Sequence, residues 1–137
     1  MEIIRGKMKS PIKTVIYGPE GIGKSTFASQ FPDPLFIDTE GSTKHMDVSR
    51  LPAPRTWNEM RDEIHYVRDN PDVCKTLVID TADWAEQLCI QEVCIKGGKT
   101  GIEDYGYGKG YTYLAEEFGR MLRALAEVNE KGINIVI

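Results

Sequence analysis

The sequence has no long hydrophobic run and no excess of basic residues. Every apolar run falls far short of the about 20 residues that a membrane-spanning helix needs. The N-terminal stretch MEIIRGKMKSPIK contains no apolar core of signal-peptide length. The formal net charge of the 137 residues is -4, which argues against a protein coated in basic residues but leaves room for a local basic groove. We therefore expect neither a membrane protein nor a histone-like one.

Cysteine is also scarce. The three cysteines, Cys74, Cys89 and Cys94, are an odd number and have no metal-ligand spacing. A zinc site would need a fourth ligand, and His45 and His65 lie far away in sequence. The pattern therefore favours reduced thiols in a cytosolic protein over disulfides or a metal–thiolate site.

Strand-like and helix-like segments alternate along the chain. Four apolar runs are bounded by turn residues: Ile12–Tyr17, Pro34–Asp38, Thr76–Asp80 and Ile133–Ile137. They are continuous rather than alternating, which is typical of strands buried on both faces of a parallel sheet. Helical spacing or capping residues mark the segments Ser25–Gln30, Trp57–Arg68, Trp84–Lys96 and Tyr113–Val128. The alternation predicts one α/β domain over residues 1–137, built as a three-layer parallel sheet with crossover helices.

The segment from Gly18 to Ser25, GPEGIGKS, matches the phosphate-binding pattern G-x-x-x-x-G-K-[ST] at every fixed position. It follows a predicted strand and opens a predicted helix, which is the context that this pattern requires. Glycines allow backbone N–H groups to curl around anionic oxygens, and the dipole of the following helix favours negative charge at the same place. The segment therefore predicts a P-loop that binds ATP with Mg²⁺; the alternative is a glycine-rich turn without a ligand.

The side chains of this loop suggest individual roles. Lys24 would reach the terminal phosphates as a point charge, and the Ser25 hydroxyl would ligate Mg²⁺. Thr26 either bonds the α-phosphate or simply begins the helix. The predicted nucleotide-binding residues are Gly18, Pro19, Glu20, Gly21, Ile22, Gly23, Lys24, Ser25 and Thr26.

Acidic residues follow two of the apolar runs. Asp80 closes the run TLVID and should lie at the carboxyl edge of the sheet, where it would be the second protein ligand on the Mg²⁺ side. The alternative is that Asp80 caps the next helix, but Asp83 suits that role better. Glu40, in FIDTEG, has the reach to orient a water molecule in line with the γ-phosphate. On residue chemistry alone, Glu40 could equally be a solvated loop acid.

The order of these motifs resembles the core of RecA-like recombinase ATPases, and more closely the phage and prophage ATP-binding proteins of that group, some of which are single-strand annealing ATPases. The P-loop, FIDTEG, LVIDTAD, a glycine-rich loop, a long helix and the strand INIVI carry the resemblance, which covers Ile12–Ile137. It implies that Glu40 and Lys24 are catalytic in ATP hydrolysis. It also implies DNA recombination in a bacterial host cytoplasm, and filaments or rings of the chain.

The same resemblance implies a strand order. The strand Ile12–Tyr17 would lie beside Ile133–Ile137, followed by Thr76–Asp80 and then Pro34–Asp38. A short edge strand near Val48 would complete the sheet.

A glycine-rich segment, Gly97 to Tyr111, carries lysines and tyrosines. In RecA-like proteins the corresponding loop faces single-stranded DNA. Lysines neutralise phosphates and tyrosines stack on bases. The residues predicted to contact nucleic acid are Lys99, Tyr105, Tyr107, Lys109 and Tyr111. Glu103 and Asp104 oppose this interpretation. The alternatives are tyrosines folded back onto the core, or a loop that closes over the nucleotide.

The sequence ends at Ile137, inside an apolar run that reads as a central strand. In the resembling family this strand leads to a polar residue that senses the γ-phosphate, and further strands follow. We therefore expect the N-terminal part of a longer core, with weak or absent ATPase activity on its own. A small-molecule kinase and a non-hydrolysing nucleotide-binding module remain the alternatives, although no arginine-rich lid, which such kinases need, is present.

Overall fold

The computed structural model describes residues 1–137 and contains one five-stranded parallel sheet. Its strands are β1 (Lys13–Thr14), β2 (Pro34–Asp38), β3 (Ser49–Arg50), β4 (Thr76–Asp80) and β5 (Asn134–Val136). They lie in the order β1-β5-β4-β2-β3, and every neighbouring pair is parallel. The predicted strand order is confirmed, including the short edge strand near Val48.

Four α-helices accompany the sheet, together with two short 3-10 turns at Pro71–Val73 and Ile102–Tyr105. The helices are α1 (Lys24–Ser29), α2 (Trp57–Asp69), α3 (Ala82–Gly97) and α4 (Lys109–Glu130). No helix is both long and apolar enough to cross a membrane. The three cysteines are buried and unpaired, and burial raises the pKa of Cys74 to about 11 and that of Cys89 to about 12.

The sheet carries helices on both faces, which confirms the three-layer arrangement. One face of β2 and β4 packs into the main core beneath α2, α3 and α4. On the other face, Phe36, Val78 and Val136 pack against Ala28 of α1. All five residues of β4 are buried, as expected for a central strand with helices on both sides.

Strand β1 is shorter than the predicted run, but its pairing continues past Thr14. The backbone N–H of Ile16 donates to the carbonyl of Ile137 at 2.8 Å, and the N–H of Ile137 donates to the carbonyl of Thr14 at 3.0 Å. These bonds hold the chain next to β5 as it enters the glycine-rich loop.

Helix α2 begins as the sequence predicts. The Thr56 side chain accepts a hydrogen bond from the N–H of Glu59 at 3.1 Å. The glutamate does not reach back to Thr56, as a full capping box would require. It accepts instead from the N–H of Arg55, at 2.7 Å.

Helix α3 begins two residues before the predicted start, so the prediction that Asp83 caps it is wrong. Thr81 leaves β4 in an extended conformation, and its side chain accepts from the N–H of Trp84 at 3.3 Å. Thr81, the residue directly after Asp80, is thus the N-cap of α3, and neither Asp80 nor Asp83 caps the helix.

Helix α4 begins at Lys109, four residues before the predicted start at Tyr113. Part of the predicted loop is therefore helical, including Lys109 and Tyr111. Gly110 explains this early start: a Cβ there would collide with the carbonyl group of Ile102. The absence of a side chain lets the first turn of α4 pack directly on the preceding 3-10 turn.

Candidate nucleotide-binding site

The segment Gly18–Gly23 connects β1 to α1 and turns at two glycines. Gly21 has a φ of 78° and Gly23 a φ of 99°, a left-handed backbone that side chains other than glycine strain to adopt. The N–H of Phe27 donates to the carbonyl of Gly23 at 2.9 Å and closes the first helical turn. The predicted strand–loop–helix context of the P-loop is present.

Lys24 is the first residue of α1, and its ammonium group lies back across the loop. Its Nζ atom donates to the carbonyl of Gly18 at 2.5 Å, so the side chain ties the two ends of the loop together. An ammonium group carries three N–H donors. Lys24 can therefore keep this bond and still donate to a phosphate oxygen.

Ser25 and Asp80 are in direct contact. The Ser25 hydroxyl donates to Oδ2 of Asp80 at 2.5 Å, and Asp80 is 7% exposed. A hydroxyl and a carboxylate oxygen are hard ligands of the kind that Mg²⁺ prefers, and Mg²⁺ takes few protein ligands when it also binds phosphates. The two residues predicted on the metal side are thus brought together, and their chemistry fits this ion.

Thr39 holds the end of β4 beside β2. Its N–H donates to the carbonyl of Asp80 at 2.8 Å, and its hydroxyl lies 3.0 and 3.1 Å from the carbonyls of Asp80 and Thr81. The same hydroxyl accepts from the N–H of Thr81 at 2.9 Å. Sequence reasoning missed this role, although a threonine directly after a strand-end aspartate is a signal that could have suggested it.

A cleft of about 610 Å³ runs over the glycine-rich loop. It brings the predicted site residues together, since Lys24, Ser25, Asp80 and Glu40 all line it, and Trp84 closes one side. Glu40 is exposed, and its carboxylate accepts no hydrogen bond from the protein. That carboxylate is therefore available to a water molecule in the cleft.

A second, more apolar cavity of about 230 Å³ lies on the other side of Lys24 and Asp80. The ends of β1, β4 and β5 form it, with Val15, Tyr17 and Ile137 among its walls. Gly21, Gly23 and Glu40 line only the larger cleft, whereas Gly18 lines only the smaller cavity. The larger cleft therefore offers more of the polar loop residues to a phosphate group.

Asp38, at the end of β2, is a buried carboxylate fully occupied by hydrogen bonds. Its Oδ1 accepts from the N–H groups of Glu40 and Gly41, at 3.2 and 2.6 Å. Its Oδ2 accepts from the N–H of Thr43 at 3.0 Å and from the Thr43 hydroxyl. Burial alone would raise the pKa of Asp38, but these hydrogen bonds outweigh it and hold the pKa below its usual value.

The predicted DNA-contacting residues are split by the structure. Tyr105 turns inward: its hydroxyl donates to the carbonyl of Val93, and its ring lies against the backbone of Gly97, where a Cβ would collide with it. One edge of the ring meets Tyr113, with 5.1 Å between centroids, and the Lys99 ammonium lies 5.8 Å from the Tyr105 centroid. For Tyr105 the prediction of a tyrosine folded back onto the core therefore applies, and not the prediction of an exposed DNA contact.

Tyr107 points the other way and is fully exposed, between Gly106 and Gly108 and with a left-handed φ of 50°. Lys109 is also exposed, and the hydroxyl of half-exposed Tyr111 donates to Glu103 at 2.9 Å. None of these residues lines the cleft over the glycine-rich loop. The segment does not close over the glycine-rich loop in this structure.

A parallel sheet whose first strand feeds a glycine-rich loop, with a strand-end aspartate bonded to the serine of that loop, defines a P-loop nucleotide-binding protein. A family model described as an AAA domain matches residues 10–137, so the chain belongs to the AAA domain family of the P-loop NTPase superfamily. Searches of curated proteins and of solved structures gave no match. Family membership supports ATP binding and a P-loop in this chain.

Proposed function

We propose that this chain binds ATP with Mg²⁺ and hydrolyses it slowly, as an ATPase of RecA-like type. The observation that carries the proposal is the bond from Ser25 to Asp80, formed in the same cleft that Glu40 lines. Binding of Mg-ATP alone would need Ser25 and Asp80 but not Glu40, the further carboxylate in the cleft.

Each group has a task in this proposal. The amides of the loop and the Lys24 ammonium bind the phosphates and neutralise their charge. Ser25 and Asp80 would hold Mg²⁺, which supplies charge stabilisation at the phosphate oxygens. Glu40 accepts a hydrogen bond from a water molecule and orients it for attack on the terminal phosphorus.

A role in DNA recombination or single-strand annealing is the finer part of the proposal. It is supported by the resemblance to RecA-like phage ATPases, and by Tyr107 and Lys109, which are both exposed where the glycine-rich segment leads into α4. A flat aromatic face and a lysine suit a single strand. Association of several copies along DNA, as filaments or rings, belongs to the same proposal.

The test is hydrolysis of radiolabelled ATP under single-turnover conditions, with and without single-stranded DNA, for the wild-type chain and Glu40→Gln. We expect slow release of phosphate by the wild-type chain and an about 10- to 100-fold lower rate for the variant, because a positioned base contributes about that much or more. Equal rates for the two proteins would refute the catalytic role of Glu40. Transfer of label to added nucleosides or hydroxy acids would instead identify a kinase.

A further inference from the structure

The loop after β2 carries Glu40, and Asp38 is the main hydrogen-bond acceptor that shapes it. The backbone N–H of Glu40 donates to Oδ1 of Asp38, while the Glu40 carboxylate is held by no protein group. The neighbouring amide of Gly41 shares the same oxygen, and Gly41 adopts a left-handed φ of 84°. The path of the chain at Glu40 thus depends on a carboxylate two residues earlier.

Asp38 lies next to the proposed metal-side acid but does not share its role. In the sheet it pairs in register with Asp80, so the two strand ends are direct neighbours. Asp38 is 3% exposed and does not line the cleft, whereas Asp80 does. Asp80 therefore lines the cleft, whereas both carboxylate oxygens of Asp38 accept hydrogen bonds from the loop after β2.

A second residue supports this arrangement from the edge of the sheet. Arg50, on β3, donates from Nε to the Thr43 hydroxyl at 3.2 Å, and from Nη2 to the carbonyls of Thr43 and Met46 at 2.7 and 2.9 Å. The Thr43 hydroxyl in turn donates to Asp38. A continuous chain of hydrogen bonds therefore runs from Arg50 through Thr43 and Asp38 to the N–H of Glu40.

We propose that Asp38 is a positioning residue for Glu40, and that Arg50 stabilises it through Thr43. This inference rests on the proposed function, in which Glu40 orients the attacking water. Nucleotide binding uses the glycine-rich loop on the other side of the cleft, so loss of Asp38 should affect turnover and leave binding unchanged. An error of about 1 Å in a catalytic group can cost about 100-fold in rate.

The experiment measures the Kd for Mg-ATP by calorimetry and the single-turnover hydrolysis rate. The variants are Asp38→Asn, Arg50→Gln and the double variant Asp38→Asn/Glu40→Gln. Asp72→Asn and Arg5→Gln are matched controls, because each removes the same charge from an exposed side chain that makes no hydrogen bond. We expect Asp38→Asn to slow hydrolysis about 10- to 100-fold, with Kd within about threefold of the wild-type value.

The double variant separates positioning from general damage to the fold. A residue that acts only through Glu40 has nothing left to position in the Glu40→Gln background, so the double variant should be no slower than Glu40→Gln alone. The proposal would be overturned if Asp38→Asn slowed hydrolysis in the Glu40→Gln background by the same factor as it does in the wild-type chain. If Asp38→Asn does not fold, Arg50→Gln decides: it should lower the rate severalfold with Kd unchanged, and a wild-type rate would overturn the proposal.

The two proposals fail in different ways. If Glu40→Gln is slow while Asp38→Asn hydrolyses at the wild-type rate, only the positioning role is refuted. If Glu40→Gln hydrolyses ATP as fast as the wild-type chain, or the wild-type chain binds Mg-ATP without any hydrolysis, the proposed function fails and the positioning role fails with it.

Discussion

The hydroxyl of Ser25 donates to the carboxylate of Asp80 across 2.5 Å, which joins the first turn of α1 to the end of β4. The two residues are 55 positions apart in sequence. Their contact requires β1 and β4 to lie one strand apart with their carboxyl ends at the same edge, which the strand order provides. The bond therefore ties the parallel topology directly to the chemistry of the site.

Asp80→Asn should remove most of the increase in ATP affinity that Mg²⁺ provides. Asparagine can still accept from Ser25, but it lacks the charge that a divalent cation needs, and a charged hydrogen-bonding group contributes about 1.5–3 kcal/mol. We expect an about 10- to 100-fold weaker Kd with Mg²⁺ and little change without it. Calorimetry in the presence and absence of the ion measures this.

Asp83→Asn is the matched control for that experiment. Asp83 lines the same cleft and carries the same charge, but makes no bond to Ser25. Its neutralisation should leave the effect of Mg²⁺ intact. Equal losses in the two variants would mean that the general charge of the cleft, and not a specific ligand, determines affinity.

Substituting alanine for two glycines of α4 should change the free energy of unfolding in opposite directions. At Gly119 a Cβ would meet only Nη1 of Arg123, at 3.5 Å, so alanine should stabilise the helix by about 0.5–1 kcal/mol. At Gly110 a Cβ would collide with the backbone of Ile102, so alanine should destabilise the fold by about 1–3 kcal/mol. Urea unfolding of both variants gives the two free energies, and a stabilised Gly110→Ala would contradict the packing described here.

Glu63 on α2 should make stability fall as the pH rises. One of its carboxylate oxygens is buried without a partner, and burial, followed by the charge of Glu59, raises its pKa to about 7 from the ordinary value of 4.5. Between these values the folded chain binds more protons than the unfolded chain, so folding is progressively disfavoured as the pH rises through that window.

Glu63→Gln removes this titration. The variant should have a higher Tm than the wild-type chain at about pH 8, and the difference should largely vanish at about pH 5, where Glu63 is protonated in the folded chain. Glu116→Gln, which removes the same charge from an exposed position on α4, is the control. A difference in Tm that is the same at both pH values would contradict the assignment.

Tyr107→Ala should weaken binding of single-stranded DNA, because an exposed ring that stacks on a base contributes about 1–3 kcal/mol. Tyr66→Ala removes a half-exposed ring from α2, away from the glycine-rich segment, and should have no effect. Anisotropy of a labelled oligonucleotide measures both. The same affinity for wild-type and Tyr107→Ala proteins would remove Tyr107 from the proposed interface.

Much of the fold could be predicted from the sequence because its signals are local. Continuous apolar runs marked the buried strands, and the glycine-lysine-serine pattern located the loop between β1 and α1. The start of α4 was missed because it depends on the close contact of Gly110 with Ile102, which no local pattern reveals. The roles of Thr39 and Asp38 were missed for the same reason, since their partners become neighbours only when the loop after β2 folds.

The central claim is that the loop between β1 and α1 binds the phosphates of ATP. Titration of the folded chain with ATP and excess Mg²⁺ in a calorimeter tests it most directly, with Lys24→Ala as the comparison. We predict saturable binding at one site by the wild-type chain and a strong loss of affinity in Lys24→Ala, whose side chain ties the loop together and faces the cleft. Absence of binding heat from the wild-type chain at millimolar ATP, or equal affinity in the two proteins, would contradict the account.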